Sequence, residues 1–157
     1  MKKRSIKTTE LIGLGYDCEV MYMLQMYLKR ASSYPFSWSY VEDRESLPRL
    51  IINPDLILEG DPYSFLGHIG MVIFSGSHVG LYVRTPEFKA DPFLSNKDSD
   101  IAELLSREEH LIEKIKVLWK SNRFAVYFIK LKPTNYEADR SFLIRLEQSL
   151  ALVSHVP

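Results

Sequence analysis

An α/β fold is predicted for this chain from three observations. A short apolar run, Leu11–Leu14, carries the glycine turn Gly13-Leu-Gly15 and leads into an amphipathic stretch from Glu19 to Arg30. A long helical stretch over 100–120 is followed by a nearly continuous apolar run, Ala125–Leu131. A third periodic stretch follows Pro133-Thr-Asn135. Strands alternating with helices in this way favour a parallel sheet covered on both faces. The expected architecture is a single three-layer domain over residues 1–157 with a mostly parallel central sheet.

Each element has its own local reason. Leu11–Leu14 reads as a buried strand entering a tight turn. From Glu19 to Arg30 there is no Gly or Pro, and Lys29-Arg30 suit the negative end of a helix dipole. Val20, Met21, Met23, Leu24, Tyr27 and Leu28 cover much of that helix, which predicts a central position. Ser32–Trp38 is a loop with Pro35 and three aromatics. A short helix over 42–52 is expected to start at Asp43. Pro54, Gly60, Pro62 and Gly67 punctuate the next stretch. Met71–Phe74 and Val79–Val83 suggest a hairpin around Ser75-Gly-Ser-His78.

Residues 85–100 are polar and read as a surface loop. The helix over 100–120 places Ile101, Leu104, Leu105, Leu111, Ile112, Ile115, Leu118 and Trp119 at three- and four-residue spacing. Ala125–Leu131 has the pattern of a strand buried on both faces. The last helix sets Phe142, Leu143, Leu146, Leu150 and Val153 on one side. The chain ends at Val156-Pro157, where a further strand is expected, so it reads as a fragment of a slightly longer domain.

Composition narrows the function classes. The 157 residues carry 20 basic and 20 acidic side chains, so no global field favours nucleic acid or an anionic membrane. No stretch approaches the roughly 18 apolar residues of a membrane span. Met1-Lys-Lys-Arg4 resembles the start of a signal peptide, but Ser5, Lys7, Thr8, Thr9 and Glu10 interrupt any apolar segment after it. The single cysteine excludes an internal disulfide. A cytoplasmic setting is expected.

That cysteine, Cys18, sits where a strand, a glycine turn and a helix start meet. Unpaired N–H groups at a helix N-terminus favour a thiolate and can donate to an oxyanion. Asp17 and Glu19 oppose the thiolate. The simpler reading is a small buried apolar residue. Gly13-x-Gly15 begins a dinucleotide fingerprint, but Cys18 stands where the third glycine belongs, so no cofactor is expected.

Of four histidines, His110 lies among charges on a helix face and His155 near the chain end. His68 and His78 sit in glycine-flanked turns. His78 is the preferred base, because loops at strand ends carry working residues in α/β folds. Asp91, Asp98 and Asp100 read as loop or N-cap residues, so no group to orient the histidine stands out. His68, His78 and Asp61 match no zinc spacing, and no metal is expected. Tyr34, Phe36, Trp38 and Tyr40 could stack on a ligand, although aromatics of a loop more often pack inward.

Leu11-Ile-Gly-Leu-Gly-Tyr-Asp-Cys-Glu-Val20, Leu24-Gln25 and Ser33-Tyr-Pro-Phe-Ser-Trp38 together resemble a bacterial family of unknown function classed with papain-like cysteine peptidases. In that family an LGxxCE turn precedes a helix and a PFDW motif follows about fifteen residues later. Leu105–Lys114, followed by the Phe124–Leu131 strand, is similar to the family's long charged helix and core strand. The resemblance implies Cys18 as nucleophile of a cysteine hydrolase, with Pro35, Phe36 and Trp38 in a loop near it. Ser37 replaces the Asp of that motif. With His78 as base, the ligand would lie against Gly15, Tyr16, Asp17, Phe36 and Trp38. The alternative is a non-catalytic α/β module that holds a small molecule, peptide or glycan through the same region.

Overall fold

The computed structural model describes residues 9–15, 19–29, 32–64, 71–82, 98–121, 123–131 and 135–154. The strands are β1 (Glu10–Gly13), β2 (Ser39–Val41), β3 (Pro62–Ser64), β4 (Met71–Phe74), β5 (Val79–Tyr82) and β6 (Ala125–Phe128). The helices are α1 (Glu19–Leu28), α2 (Leu47–Ile52), α3 (Asp98–Trp119) and α4 (Tyr136–Val153). Single 3-10 segments at Arg44–Ser46 and Pro54–Leu58 flank α2.

β1 and β6 pair in parallel, in the register Glu10↔Ala125 to Gly13↔Phe128. The ladder extends at both ends, where Glu10 N–H donates to Phe124 and Leu14 N–H donates to Phe128, each at 2.8 Å. The juxtaposition expected of the two apolar runs is therefore present, and the fold is mixed α/β. The expected mostly parallel, three-layer sheet is not what the described strands form. Four of them make a separate antiparallel sheet in the order β2-β5-β4-β3. The physical reason is connection length. A parallel pair needs a long crossover, whereas β4 and β5 are joined by the tight turn Ser75–His78 and can only run antiparallel.

Local chemistry explains several boundaries. Asp43 caps the first 3-10 turn by accepting from Glu45 N–H at 3.0 Å. Asn135 caps α4, its side-chain oxygen accepting from Glu137 and Ala138 N–H. α1 ends where Lys29 turns left-handed, at φ 48°.

One hydrophobic core joins both sheets with α2, α3 and α4. Ile12 and Leu14 meet Tyr34, Phe36, Val41, Leu50, Phe74 and Leu81 with Leu104, Ile115, Phe142 and Leu146. Three expectations about burial are corrected. α1 buries only Met21 and Leu24, while Tyr22, Met23, Met26 and Tyr27 are exposed. The parallel sheet, two-stranded among the described residues, offers too narrow a face to cover more of the helix. For the same reason β6 is not buried on both faces: β1 is its one strand neighbour among the described residues, and Val126 is exposed. Leu143 also faces solvent, so the buried stripe of α4 runs through Phe142, Leu146 and Ser149.

Two phenols in this core set an alkaline limit. Burial raises the Tyr34 pKa well above its ordinary value, and the Glu10 carboxylate beside its hydroxyl raises it further. Burial also raises Tyr127, against hydrogen bonds from Trp119 and Ser154 that lower it. Above the unfolded phenol pKa of about 10, the unfolded chain releases protons that the folded chain keeps. Stability is therefore full below about pH 10 and falls as pH rises beyond it. Urea midpoints at pH 8, 10 and 11 are expected to decline over the upper interval, and Tyr34→Phe should flatten the decline. A flat midpoint across that interval would contradict the burial argument.

Candidate functional site

The carboxyl end of β1 is where the sequence motifs meet. Gly15 lies so close to the Phe36–Ser39 turn that a Cβ there would stand 2.4 Å from the Phe36 carbonyl oxygen and 2.6 Å from Ser39 Oγ. Upstream, a Cβ on Gly13 would stand 2.7 Å from Met21 Sδ, which sets α1 tightly on β1. The chain passes from Gly15 to Glu19, the first residue of α1, through Tyr16, Asp17 and Cys18, and these three lie outside the described residues. Glu19 forms an ion pair with Lys130, two residues beyond the end of β6. Gly15 and Glu19, the described residues on either side of that link, lie beside the carboxyl ends of two parallel strands, the usual place for α/β sites.

The motif loop is closed by its own side chain. Tyr34 N–H donates to Ser37 Oγ at 2.9 Å, and Ser37 N–H donates to the Tyr34 carbonyl at 2.9 Å. Ser37 is fully buried. A carboxylate could accept the same Tyr34 proton, so Ser in place of Asp keeps the turn. The Phe36 ring, expected against a ligand, is 1% exposed and belongs to the core. Trp38 is half-buried and its indole N–H donates to Ser33 Oγ at 3.3 Å. Beside Gly15, the Ser39 hydroxyl is fully buried and has no hydrogen-bond partner among the described residues.

His78 occupies the β4–β5 turn with a left-handed φ of 55°, a conformation uncommon for a side chain of this size. Its Nδ1 lies 3.2 Å from Glu42 Oε2, with the two side chains 60% and 57% exposed. Glu42 is a carboxylate beside His78 that sequence reasoning did not single out. The signal was latent in the β2–β5 register, because pairing Val41 with Val79 sets Glu42 opposite His78. β2 leads from Gly15 toward this pair: Ser39 touches the glycine, and Glu42 follows about 10 Å further along the chain.

The other histidine candidates separate cleanly. His110 is exposed on α3. His68, His155 and Asp91 lie outside the described residues, as do the side chains of Asp98 and Asp100. Among the described residues no three His, Cys, Asp or Glu side chains converge as metal ligands would. No described helix is long and apolar enough to cross a membrane.

Behind the motif loop lies a cleft of about 130 Å³ lined by Ser33, Tyr34, Pro35, Trp38, Tyr82, Arg107, Glu108 and Leu111. Arg107 closes one end. Its Nη2 donates to the Tyr82 carbonyl at 2.8 Å and to Glu108 Oε1 at 3.0 Å. The Glu108 side chain is 5% exposed, while that of Arg107 is 33% exposed. Comparison with family models, curated proteins and solved structures finds no match to this chain.

Proposed function

We propose that the chain is a cysteine-nucleophile hydrolase of the papain-like kind, with Cys18 as nucleophile and His78, held by Glu42, as base. The observation that carries this reading is the seating of Gly15 against Phe36 and Ser39. The two stretches that carry the family resemblance are separated by α1 in sequence and meet at the carboxyl end of a parallel strand. The Glu19–Lys130 ion pair also weakens an electrostatic objection: one of the two carboxylates flanking Cys18 has its charge offset by a cation.

In this mechanism the imidazole takes the thiol proton and the Cys18 sulfur attacks an acyl carbon. The carbonyl electron pair moves to oxygen, where N–H groups at the start of α1 stabilise it. The imidazolium returns its proton to the leaving amine or alcohol as the acyl bond breaks. Water, deprotonated by the same histidine, then releases the acid and restores the thiol. Glu42 keeps Nδ1 protonated so that Nε2 faces the reaction.

Iodoacetamide labelling of the single cysteine across pH tests the assignment. The expected thiol pKa lies well below the unperturbed ~8.5. His78→Ala and Glu42→Gln should return it toward that value, and Cys18→Ala should abolish hydrolysis of activated esters. A normal or raised pKa, unmoved by replacing any of the four histidines with Ala, would leave Cys18 a packing residue. The second reading, a binding module without chemistry, is favoured by the Trp38–Arg107 cleft, which requires no nucleophile.

A further inference from the structure

We infer that the outer face of α1 is the interface of a homodimer, in which the α1 helices of two copies pack antiparallel about a two-fold axis. The inference does not depend on Cys18 chemistry.

The helix itself points to a covered face. With 3.6 residues per turn, Tyr22, Met23, Met26 and Tyr27 share one side of α1, opposite the buried Met21 and Leu24. All four are between 47% and 75% exposed. A helix that is apolar on both sides is normally covered on both, and the rest of this chain covers one. The β1–β6 register adds to the patch. Leu11 shares its sheet face with Gly13, against which α1 packs, and pairs with Val126, which is exposed.

Symmetry selects the occupant. The outward positions read Tyr22-Met23 and then Met26-Tyr27, the same order in either direction. A two-fold axis through the middle of the helix therefore sets Tyr22 of one copy against Tyr27 of the other, and Met23 against Met26. Aromatic pairs then close the two ends and adaptable thioethers fill the centre, both residue types that interfaces favour.

Charge sets the direction. Glu19, which pairs with Lys130, is the one charged residue of α1 and opens it; exposed Lys29 follows its last residue. Antiparallel copies bring the acidic start of each helix to the basic end of the other, whereas parallel copies set like ends together. α1 holds no Lys or Arg, so its face lacks the cations that settle an amphipathic helix on anionic lipid.

Area sets the strength. At these exposures four side chains of this size offer on the order of 500 Å² per copy. Two copies bury about 1,000 Å², the lower limit of a specific interface, so a Kd on the order of 10–100 μM is expected.

Sedimentation velocity of the full chain from about 5 to about 500 μM spans that range. A thiol reductant keeps Cys18 from linking copies. Tyr22→Lys and Tyr27→Glu, both at exposed positions, should each weaken association about tenfold without changing the melting curve. Met26→Gln, uncharged, should weaken it several-fold and serves where either variant alters the fold. An equimolar mixture of Tyr22→Lys and Tyr27→Glu should associate more tightly than either alone, because the two-fold sets the new cation against the new anion. Tyr136→Glu, at the exposed start of α4, should leave the parent constant unchanged. A parent that stays monomeric, a dimer indifferent to Tyr22 and Tyr27, equal loss from Tyr136→Glu, or a mixture no tighter than its components would each overturn the proposal. So would a monomeric parent that floats with phosphatidylcholine vesicles, which would give the face to a lipid surface.

Discussion

Replacing Gly15 with Ala is expected to destabilise the protein by about 3 kcal/mol or more, the upper range of overpacking. The new methyl would stand 2.4 Å from the Phe36 carbonyl oxygen and 2.9 Å from that of Ser39. Both obstacles are backbone, so relief requires the Phe36–Ser39 turn to withdraw from the end of β1. The same substitution at Gly13 meets only the flexible Met21 side chain, at 2.7 Å from Sδ and 2.9 Å from Cγ. Its effect should be smaller, about 1 kcal/mol. Urea denaturation of the two variants side by side measures the contrast. Gly15→Ala within roughly 0.5 kcal/mol of the parent would mean that the two motif segments are not in close contact.

Phe142→Ala is expected to cost about 3–5 kcal/mol, enough to lower the Tm by about 10 °C for a chain of this size. The ring is 0% exposed and sits where α4 docks on α2. The Arg44 guanidinium lies over it at 5.2 Å, held there by Asp139 at 2.6 Å. Truncation therefore opens a cavity and removes the surface on which the Arg44–Asp139 pair rests. Leu143, one position on, is 42% exposed, and Leu143→Ala should change stability by less than about 1 kcal/mol. Calorimetric scans of the two variants separate the buried face of α4 from the solvent face. Equal losses would mean that α4 is rotated from the orientation described here.

The sequence by itself determined the elements and one of their pairings. Period and capping were enough to place the long helix ending at Trp119, the helix capped by Asn135, the hairpin around Ser75–His78 and the parallel meeting of Leu11–Leu14 with the run at 125. These depend on local propensity and on alternation of apolar and polar residues, both of which are written along the chain.

The tertiary structure decided what lies outside each element. Whether Val126 or Tyr27 is buried depends on how many strands stand beside β1 and β6, and no periodicity encodes that number. The apolar residues of α1 look central in the sequence and are mostly exposed because, among the described residues, the parallel sheet is two strands wide. The site follows the same rule. Cys18, Trp38 and His78 stand out as residue types, whereas Glu42 and Arg107 look like ordinary surface charges until β-pairing and helix docking set them against His78 and Tyr82. A side chain's chemistry is carried in the sequence, but its partner is chosen by long-range packing, because the groups that change its charge, burial and orientation arrive from elsewhere in the chain.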